Sequence, residues 1–232
     1  MPRVYDEARI ELLDAIVGGD YAAGEQLPSE EDLREQYGFA RGSVRPMLQT
    51  LAERAGVLRV VHGRGQFAEP AERWNALDDE VVAALIRVGD FARVLREVVE
   101  ARRLAEVPAA GLAAERATPE VVAALRDAVA RMDAIVPKQR SAAVAYDEAE
   151  ADFHAVLLAS LGNRFLRRQL LPLQQAMRTA GVTQRRGAKA VPEHRAVADA
   201  IAQGDADAAR AAMSAHLDAV GAALPKRRPQ RS

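Results

Sequence analysis

The sequence predicts a mainly α-helical protein in two parts, a compact N-terminal module of three helices closed by a small β-hairpin, and a C-terminal all-α helical bundle. Three observations predict it. Apolar residues recur at helical spacing along most of the chain, one β-branched run with a Gly-containing turn interrupts them near residue 60, and from Ala76 onward the texture shifts to Ala, Leu, Val and Arg. A length of 232 residues suits two domains. Apolar residues at 49% and charged residues at 28% are the balance of a chain that buries a real core in water, which excludes disorder and fibres. No apolar stretch approaches the roughly 18 residues of a membrane span, and the N-terminus carries two acids, so neither a span nor a signal peptide is expected. The chain has no cysteine, which excludes disulfides, thiolate zinc sites, iron–sulfur clusters and cysteine nucleophiles together and fits a cytoplasmic location.

Taken in order, Ile10, Leu13, Ile16 and Val17 mark a first helix that Gly18 and Gly19 end. Ser29 is placed as an N-cap before Glu30, Glu31 and Asp32, acids that suit the positive end of a helix dipole, and this second helix stops at Gly38. Val44, Met47, Leu48 and Leu51 carry a third helix as far as Gly56. VLRVV, HGRG and QFA then read as strand, turn and strand. The module is expected over 1–70, a linker over 71–75, the helical domain over 76–224 and a basic, disordered tail over 225–232. Within the helical domain, helices are expected at about 77–88, 90–116, 119–135, 139–161, 163–181, 191–203 and 205–223, with Thr118, Asn163 and Asp205 as caps and with Pro108 and Pro172 as breaks.

The net charge of −1 argues against a nucleic-acid binder until its distribution is read. Residues 1–39 hold three Arg against ten acids, whereas 40–65 hold Arg41, Arg45, Arg54, Arg59 and Arg64 against Glu53 alone. Arg41 and Arg45 lie one helical turn apart, so they share a face, with Ser43 beside them, and Arg is the commonest reader of guanine in the major groove. His62, Gly63 and Arg64 form a turn slim enough in backbone to approach a phosphate or the minor groove. Taken singly, each of these arginines reads first as a solvated helix charge.

The segment as a whole is more specific. Residues 5–69 resemble the winged helix-turn-helix of the GntR family of bacterial transcription regulators, through a helix followed by GEQLPSEEDL, YGFARGSVRPMLQTL, GVL and HGRGQF. The resemblance implies Arg41 and Arg45 as the principal recognition-helix contacts, Ser43 as an accessory one, and His62 and Gly63 as the contact from the wing. Four features depart from the family pattern. Glu31 stands where many members carry a DNA-touching Arg, Ala40 replaces a Ser or Thr that would cap the helix, Pro46 sits inside the recognition helix, and one extra residue lies between Leu51 and Gly56. The proline is expected to be tolerated if the helix begins close before it.

Outside the turn at residue 62 the histidines are His154, His194 and His216, all on expected helices. Glu150 precedes His154 by four residues, a spacing that stacks carboxylate and imidazole on one face and can hold one metal. Spacing alone equally allows surface or capping roles. Residues 76–224 resemble the FCD ligand-binding domain of the FadR subfamily of GntR regulators, through VVEARRLAEVPAAGLAAERAT, EADFHAVLLASLGN and PEHRAVADAIAQGDADAARAAMSAHL. The resemblance implies a metal held by Glu150, His154, His194 and His216, with Glu150 where Asp is usual; Asp152, about 200° round the helix, is a fallback ligand only if the helix is locally distorted. Three imidazoles and one carboxylate suit a divalent transition metal, Zn or Ni above all. Arg102 matches a residue that faces the ligand cavity in relatives and would grip a carboxylate effector; a surface salt bridge to Glu106 is the other reading.

The expected function is therefore a sequence-specific DNA-binding transcription regulator, not an enzyme. It would act as a homodimer on palindromic half-sites about 34 Å apart in double-stranded DNA, modulated by a small carboxylate effector. Two other readings stay open, an effector-independent regulator with a purely structural metal, and a metal-dependent hydrolase or lyase.

Overall fold

A computed structural model describes residues 2–39, 42–89, 91–135, 140–179 and 187–224. Helix α1 (Pro2–Gly18) buries Leu13 and Ile16 of the expected stripe together with Ala8 and Leu12, while Val17 is half-buried and Ile10 is exposed. Helix α2 (Glu30–Tyr37) begins in a capping box: the Ser29 hydroxyl accepts from the Asp32 N–H, and the Asp32 carboxylate accepts from the Ser29 N–H at 2.9 Å. It ends at Gly38, whose φ of 65° lets the N–H groups of Gly38 and Phe39 turn back onto carbonyls of the last turn. Helix α3 (Val44–Thr50) turns Val44, Met47 and Leu48 into the core. Pro46 is its third residue, where a backbone N–H has no intrahelical acceptor, so the ring removes no helical hydrogen bond. Ala40 and Arg41 lie outside the described residues.

The extra residue after Leu51 is absorbed in a π-turn. Leu51–Ala55 winds with the wider repeat, and the Gly56 N–H reaches back five residues to the Leu51 carbonyl. Leu51 and Ala55 thereby both stay buried although the intervening segment is one residue longer. Gly56 closes the turn at φ 69°, and a Cβ there would stand 2.9 Å from the Arg73 carbonyl oxygen.

Strands β1 (Leu58–Val61) and β2 (Gly65–Ala68) pair antiparallel, with Leu58 opposite Ala68 and Val61 opposite Gly65. The loop between α1 and α2 extends this pairing. The Leu27 N–H donates to the Gln66 carbonyl and the Gly24 N–H to that of Ala68. GEQLP carries no β-branched residue, so the sequence offers no sign of this third extended segment.

The chain divides into two compact units, Met1–Val94 and Leu95–Ser232, whereas the sequence reading places the linker at 71–75. The difference is helix α4 (Asp79–Val88), which packs on α1 instead of opening the helical domain. Val81 and Ala84 join the N-terminal core, and Arg87 grips Asp14 with two bonds, one of them 2.7 Å. The expected linker is also pinned. After a short 3-10 turn (Ala71–Arg73), the Trp74 indole donates to the Glu69 carbonyl, Asn75 bonds the carbonyls of Arg54 and Ala55, and Arg54 meets the α4 cap Asp78 at 2.6 Å.

The second unit is helical among the described residues: α5 (Phe91–Arg116, which begins in the first unit), α6 (Pro119–Ala134), α7 (Arg140–Ser160), α8 (Arg164–Thr179), a 3-10 turn (Gly187–Ala190), α9 (Val191–Ala202) and α10 (Ala206–Ala222). Helix α6 packs on α7 and α9, and α9 packs on α10, around Leu125, Met132, Tyr146, Phe153, Leu157, Ile201 and Met213. Thr118, Asn163 and Asp205 cap helices as expected. Pro108 and Pro172 do not break theirs, contrary to expectation. Each proline deprives the carbonyl four residues earlier of its donor, and those residues, Leu104 and Arg168, are exposed, so water is at hand on that side of the helix. The basic tail over 225–232 lies outside the described residues.

Gly63 and Gly56, both with left-handed backbone but in different surroundings, give a clean comparison. Gly63→Ala, in open space at φ 71°, is expected to lose about 1 kcal/mol of stability, and Gly56→Ala clearly more, roughly 2–3 kcal/mol, because its Cβ also meets the Arg73 carbonyl. Urea midpoints of the two variants check this; equal losses would mean that the π-turn yields freely.

Candidate nucleic-acid interface and candidate metal centre

The first candidate site is a groove of about 640 Å³ in the N-terminal unit, between the outer face of α3 and the hairpin. Burial of Val44, Met47 and Leu48 forces Arg45 and Gln49 outward, and both line the groove. On the opposite wall are His62 and Gly63, in a three-residue turn fixed by the Arg64 N–H donating to the Val61 carbonyl. Gly63 has nothing within 4 Å of a would-be Cβ, so its backbone is open to an approaching ligand. Of the residues singled out in the sequence, the structure brings Arg45, His62 and Gly63 to this groove. Arg64 is exposed beside it, its carbonyl accepting from Gln26, and Ser43 is half-buried at the N-cap of α3 without a side-chain cap bond. Arg41 lies outside the described residues. Glu31 does not present a bare charge, because Arg34 clasps its carboxylate at 2.6 and 2.9 Å. That clasp also holds the Glu31 pKa below its ordinary value.

The second candidate site is buried in the helical unit. Glu150 and His154 on α7, His194 on α9 and His216 on α10 each offer a donor atom, and these four atoms lie within 4.8 Å of one another. The three imidazole rings cluster with centroids 4.3–5.6 Å apart, and Phe153 stands edge-on to two of them.

Nδ1 of His194 and of His216 is held by a hydrogen bond, and Nδ1 of His154 stands beside a carboxylate without one. That of His194 lies 2.8 Å from the Ala190 carbonyl, that of His216 lies 3.0 Å from Glu193, and that of His154 lies 2.9 Å from Glu106. A carbonyl only accepts, so His194 carries its proton on Nδ1 and its Nε2 is a bare lone pair. This Nε2 is buried with no hydrogen-bond partner. An orphan of that kind costs about 1–3 kcal/mol unless something binds it. Nδ1 tied to a carbonyl or carboxylate while Nε2 points at a shared centre is the arrangement metal-ligating histidines adopt. A first-row ion with bonds of about 2.0–2.2 Å needs these donors drawn in by less than an ångström. The residues present therefore fit a metal.

Arg102 and Glu106, on α5, complete the site. The expected bridge between them forms, at 2.7 and 3.3 Å, but it is buried and not on the surface, with both side chains at 1% exposure or less. The other reach of the guanidinium brings Nη2 to 3.2 Å from His154 Nε2. Burial penalises every charge here, and the partners decide the outcome. For Glu106, Arg102 and His154 outweigh burial and hold the carboxyl well below its usual range. For Glu150, His154 and Arg102 outweigh it and lower the pKa to about 2. For His154, Glu106 and Glu150 outweigh it and raise the pKa to about 9. Burial wins at His194, helped by repulsion from the other two rings, and its pKa falls well below 6.5.

Glu106 as a support for His154, and Glu193 and the Ala190 carbonyl as supports for the other rings, were not singled out in the sequence. The signal for Glu106 was its place one turn after Arg102; Glu193 had only its place beside His194.

The profile described as "Bacterial regulatory proteins, gntR family" matches residues 4–67, and that of the FCD domain matches residues 97–219. The galactonate operon transcriptional repressor of Escherichia coli K12 is 30% identical over 212 residues, covering 89% of this chain and 90% of the relative. Another E. coli relative, 31% identical over 225 residues that cover 94% and 85% of the two chains, carries the L-lactate dehydrogenase operon in its name. Among solved structures, Streptococcus agalactiae GntR aligns at TM-score 0.54 and 24% identity over 94% of this chain and 99% of that one. The Listeria monocytogenes regulator Lar aligns at TM-score 0.64 and 15% identity over 94% and 95%. These two likenesses show the fold alone.

The charges of the second site set a pH dependence for the metal-free protein. A raised His154 contributes stability fully present below about pH 6.5 and lost as pH climbs through about 9, whereas a lowered His194 contributes stability present above about 6.5 and lost below it. In excess chelator, urea midpoints are expected to peak near pH 6.5 and fall on both sides. Glu106→Gln, which leaves Arg102 and His154 without their shared anion, is expected to cost roughly 3–5 kcal/mol. An alkaline limb that is flat in wild type would mean that His154 is not held protonated.

Proposed function

The chain belongs to the GntR family of bacterial regulatory proteins and carries an FCD domain, and from that premise we propose that Glu150, His154, His194 and His216 hold a divalent transition metal, Zn or Ni, beside a small carboxylate effector that modulates operator binding. It is a DNA-binding transcription regulator; its relatives are named as such and not as enzymes. The observation that carries the metal reading is the buried Nε2 of His194, left without a partner at the centre of four converging donors. When bound, the metal supplies a Lewis-acidic anchor for an effector oxygen. The protein's own residues do the rest. Ala190, Glu193 and Glu106 fix the three rings, and Phe153 walls the cluster with apolar surface.

The carboxylate class is supported by chemistry and by kinship. Arg102 places a guanidinium beside His154, and two relatives are named for the galactonate operon and the L-lactate dehydrogenase operon, names that each contain a carboxylate. Because Glu106 already occupies one edge of that guanidinium, the reading with a purely structural metal and no effector keeps specific support. Regulation requires an effector that prefers one arrangement of two DNA-reading units in a homodimer, since a ligand that binds both states equally shifts nothing. Such a dimer would meet palindromic half-sites on double-stranded DNA, in the cytoplasm. No helix among the described residues is long and apolar enough to cross a membrane.

Elemental analysis of untagged protein purified without added metal tests the centre: about one equivalent of Zn or Ni is expected, and Glu150→Ala should lose it. His154→Ala and His216→Ala should each lose metal and lower the thermal midpoint, while Arg45→Ala abolishes specific operator binding at unchanged metal content. A thermal shift with small carboxylates that disappears on chelation separates the sensing reading from the structural one. Metal-free wild type would sink the centre and leave the DNA-reading unit untouched.

A further inference from the structure

We propose that Gln49 is a second base-reading residue of the recognition helix, selecting an A·T pair beside the pair met by Arg45. The inference rests on the DNA-reading function of the N-terminal unit. On α3 the side chains left outside the core are few, because Val44, Met47 and Leu48 face inward. Of those that remain, Pro46 has no polar atom, and the Thr50 hydroxyl is spent on the Pro46 carbonyl at 3.0 Å. Arg45 and Gln49 are the exposed polar side chains of this helix, four residues apart and therefore on one face, and both line the groove between α3 and the wing.

The chemistry of the two differs in an informative way. Arg is a cation, able to serve a phosphate or a guanine. Gln is neutral, gains little from a phosphate, and its amide presents one donor and one acceptor side by side, which matches N7 and the N6 amino group of adenine in the major groove. No hydrogen bond within the described residues engages the Gln49 amide, so a base edge would not have to displace an internal partner. One helical turn advances about 5.4 Å and one base step about 3.4 Å, so the two readers reach pairs one or two steps apart. The short α3 gives this pair its isolation. Where the next outward turn would begin, the backbone passes into the π-turn, and Glu53, which also lines the groove, presents a carboxylate that adjacent phosphates repel.

Selection of full-length protein on a random duplex pool tests this, using wild type, Gln49→Ala, Gln49→Glu and Arg45→Ala. Wild type is expected to enrich a half-site with an A·T pair one or two steps from a G·C pair. Gln49→Ala should keep the G·C preference and lose discrimination at the A·T position by roughly ten- to a hundredfold. Gln49→Glu, an acceptor only, should shift that position toward C, whose N4 amino group donates. Arg45→Ala, which loses specific operator binding, should enrich no half-site. Gln49→Ala enriching the wild-type site unchanged overturns the proposal, as does a uniform loss of affinity with a shallower salt dependence, the mark of a phosphate contact. Wild type enriching no site would overturn the DNA-reading function itself, a different result from either.

Discussion

The helical unit is organised around charges that cannot be left alone. Arg102, Glu106, Glu150 and His154 are all buried, and an isolated ion in such surroundings would cost several kcal/mol. The cost is tolerable only if each charge meets its partner, which requires α5 and α7 to be in register with one another. Glu106 is the pivot. It accepts from Arg102 on its own helix and faces His154 on α7, so the packing of those two helices and the placing of the His154 ring are one constraint. Apolar packing around Tyr146, Phe153 and Leu157 supplies the driving force, and the polar network selects the one arrangement in which all partners meet.

A second constraint governs the DNA-reading unit, and it acts on the backbone. One extra residue between Leu51 and Gly56 could have bulged into a loop or rotated the end of the helix, which would have taken Leu51 or Ala55 out of the core. The wider π-turn keeps both inside and leaves the carbonyls of Arg54 and Ala55 free to accept from Asn75. Arg54 then reaches the cap of α4, and α4 rests on α1. The end of the recognition helix is thereby tied to the segment that leads out of the unit, with no slack stretch of chain between them.

What was legible in the sequence followed from local physics. The helices were visible in their apolar period, the starts of α2, α6 and α10 in Ser29, Thr118 and Asp205, and the hairpin in VLRVV and HGRG, because each of these signals acts within a few residues. The convergence of Glu150, His154, His194 and His216 came from resemblance, since spacing places only the first two on a common face. The misses are all cases in which tertiary packing overrode a local rule. Pro108 and Pro172 break helices in isolation and do not break helices held by a core. Helix α4 carries an ordinary amphipathic pattern, and nothing in that pattern says whether α1 or the helical bundle receives it. Glu106 and Glu193 look like surface charges until the rings they hold are in place.

The same distinction explains how a chain of net charge −1 can present a cationic face to DNA. Net charge is a sum over the whole molecule, but salt screens charges over about 8–10 Å, so a phosphate responds to the charges near it. Several acids of the unit are spoken for, Glu31 by Arg34, Glu69 by Arg59 and Arg73, and Asp78 by Arg54, whereas Glu30 and Glu53 line the groove itself. Each pairing cancels an acid locally and immobilises the arginine that does so. Among the described residues no such partner is recorded for Arg45 or for Arg64. These are the cations whose field is left for an external anion.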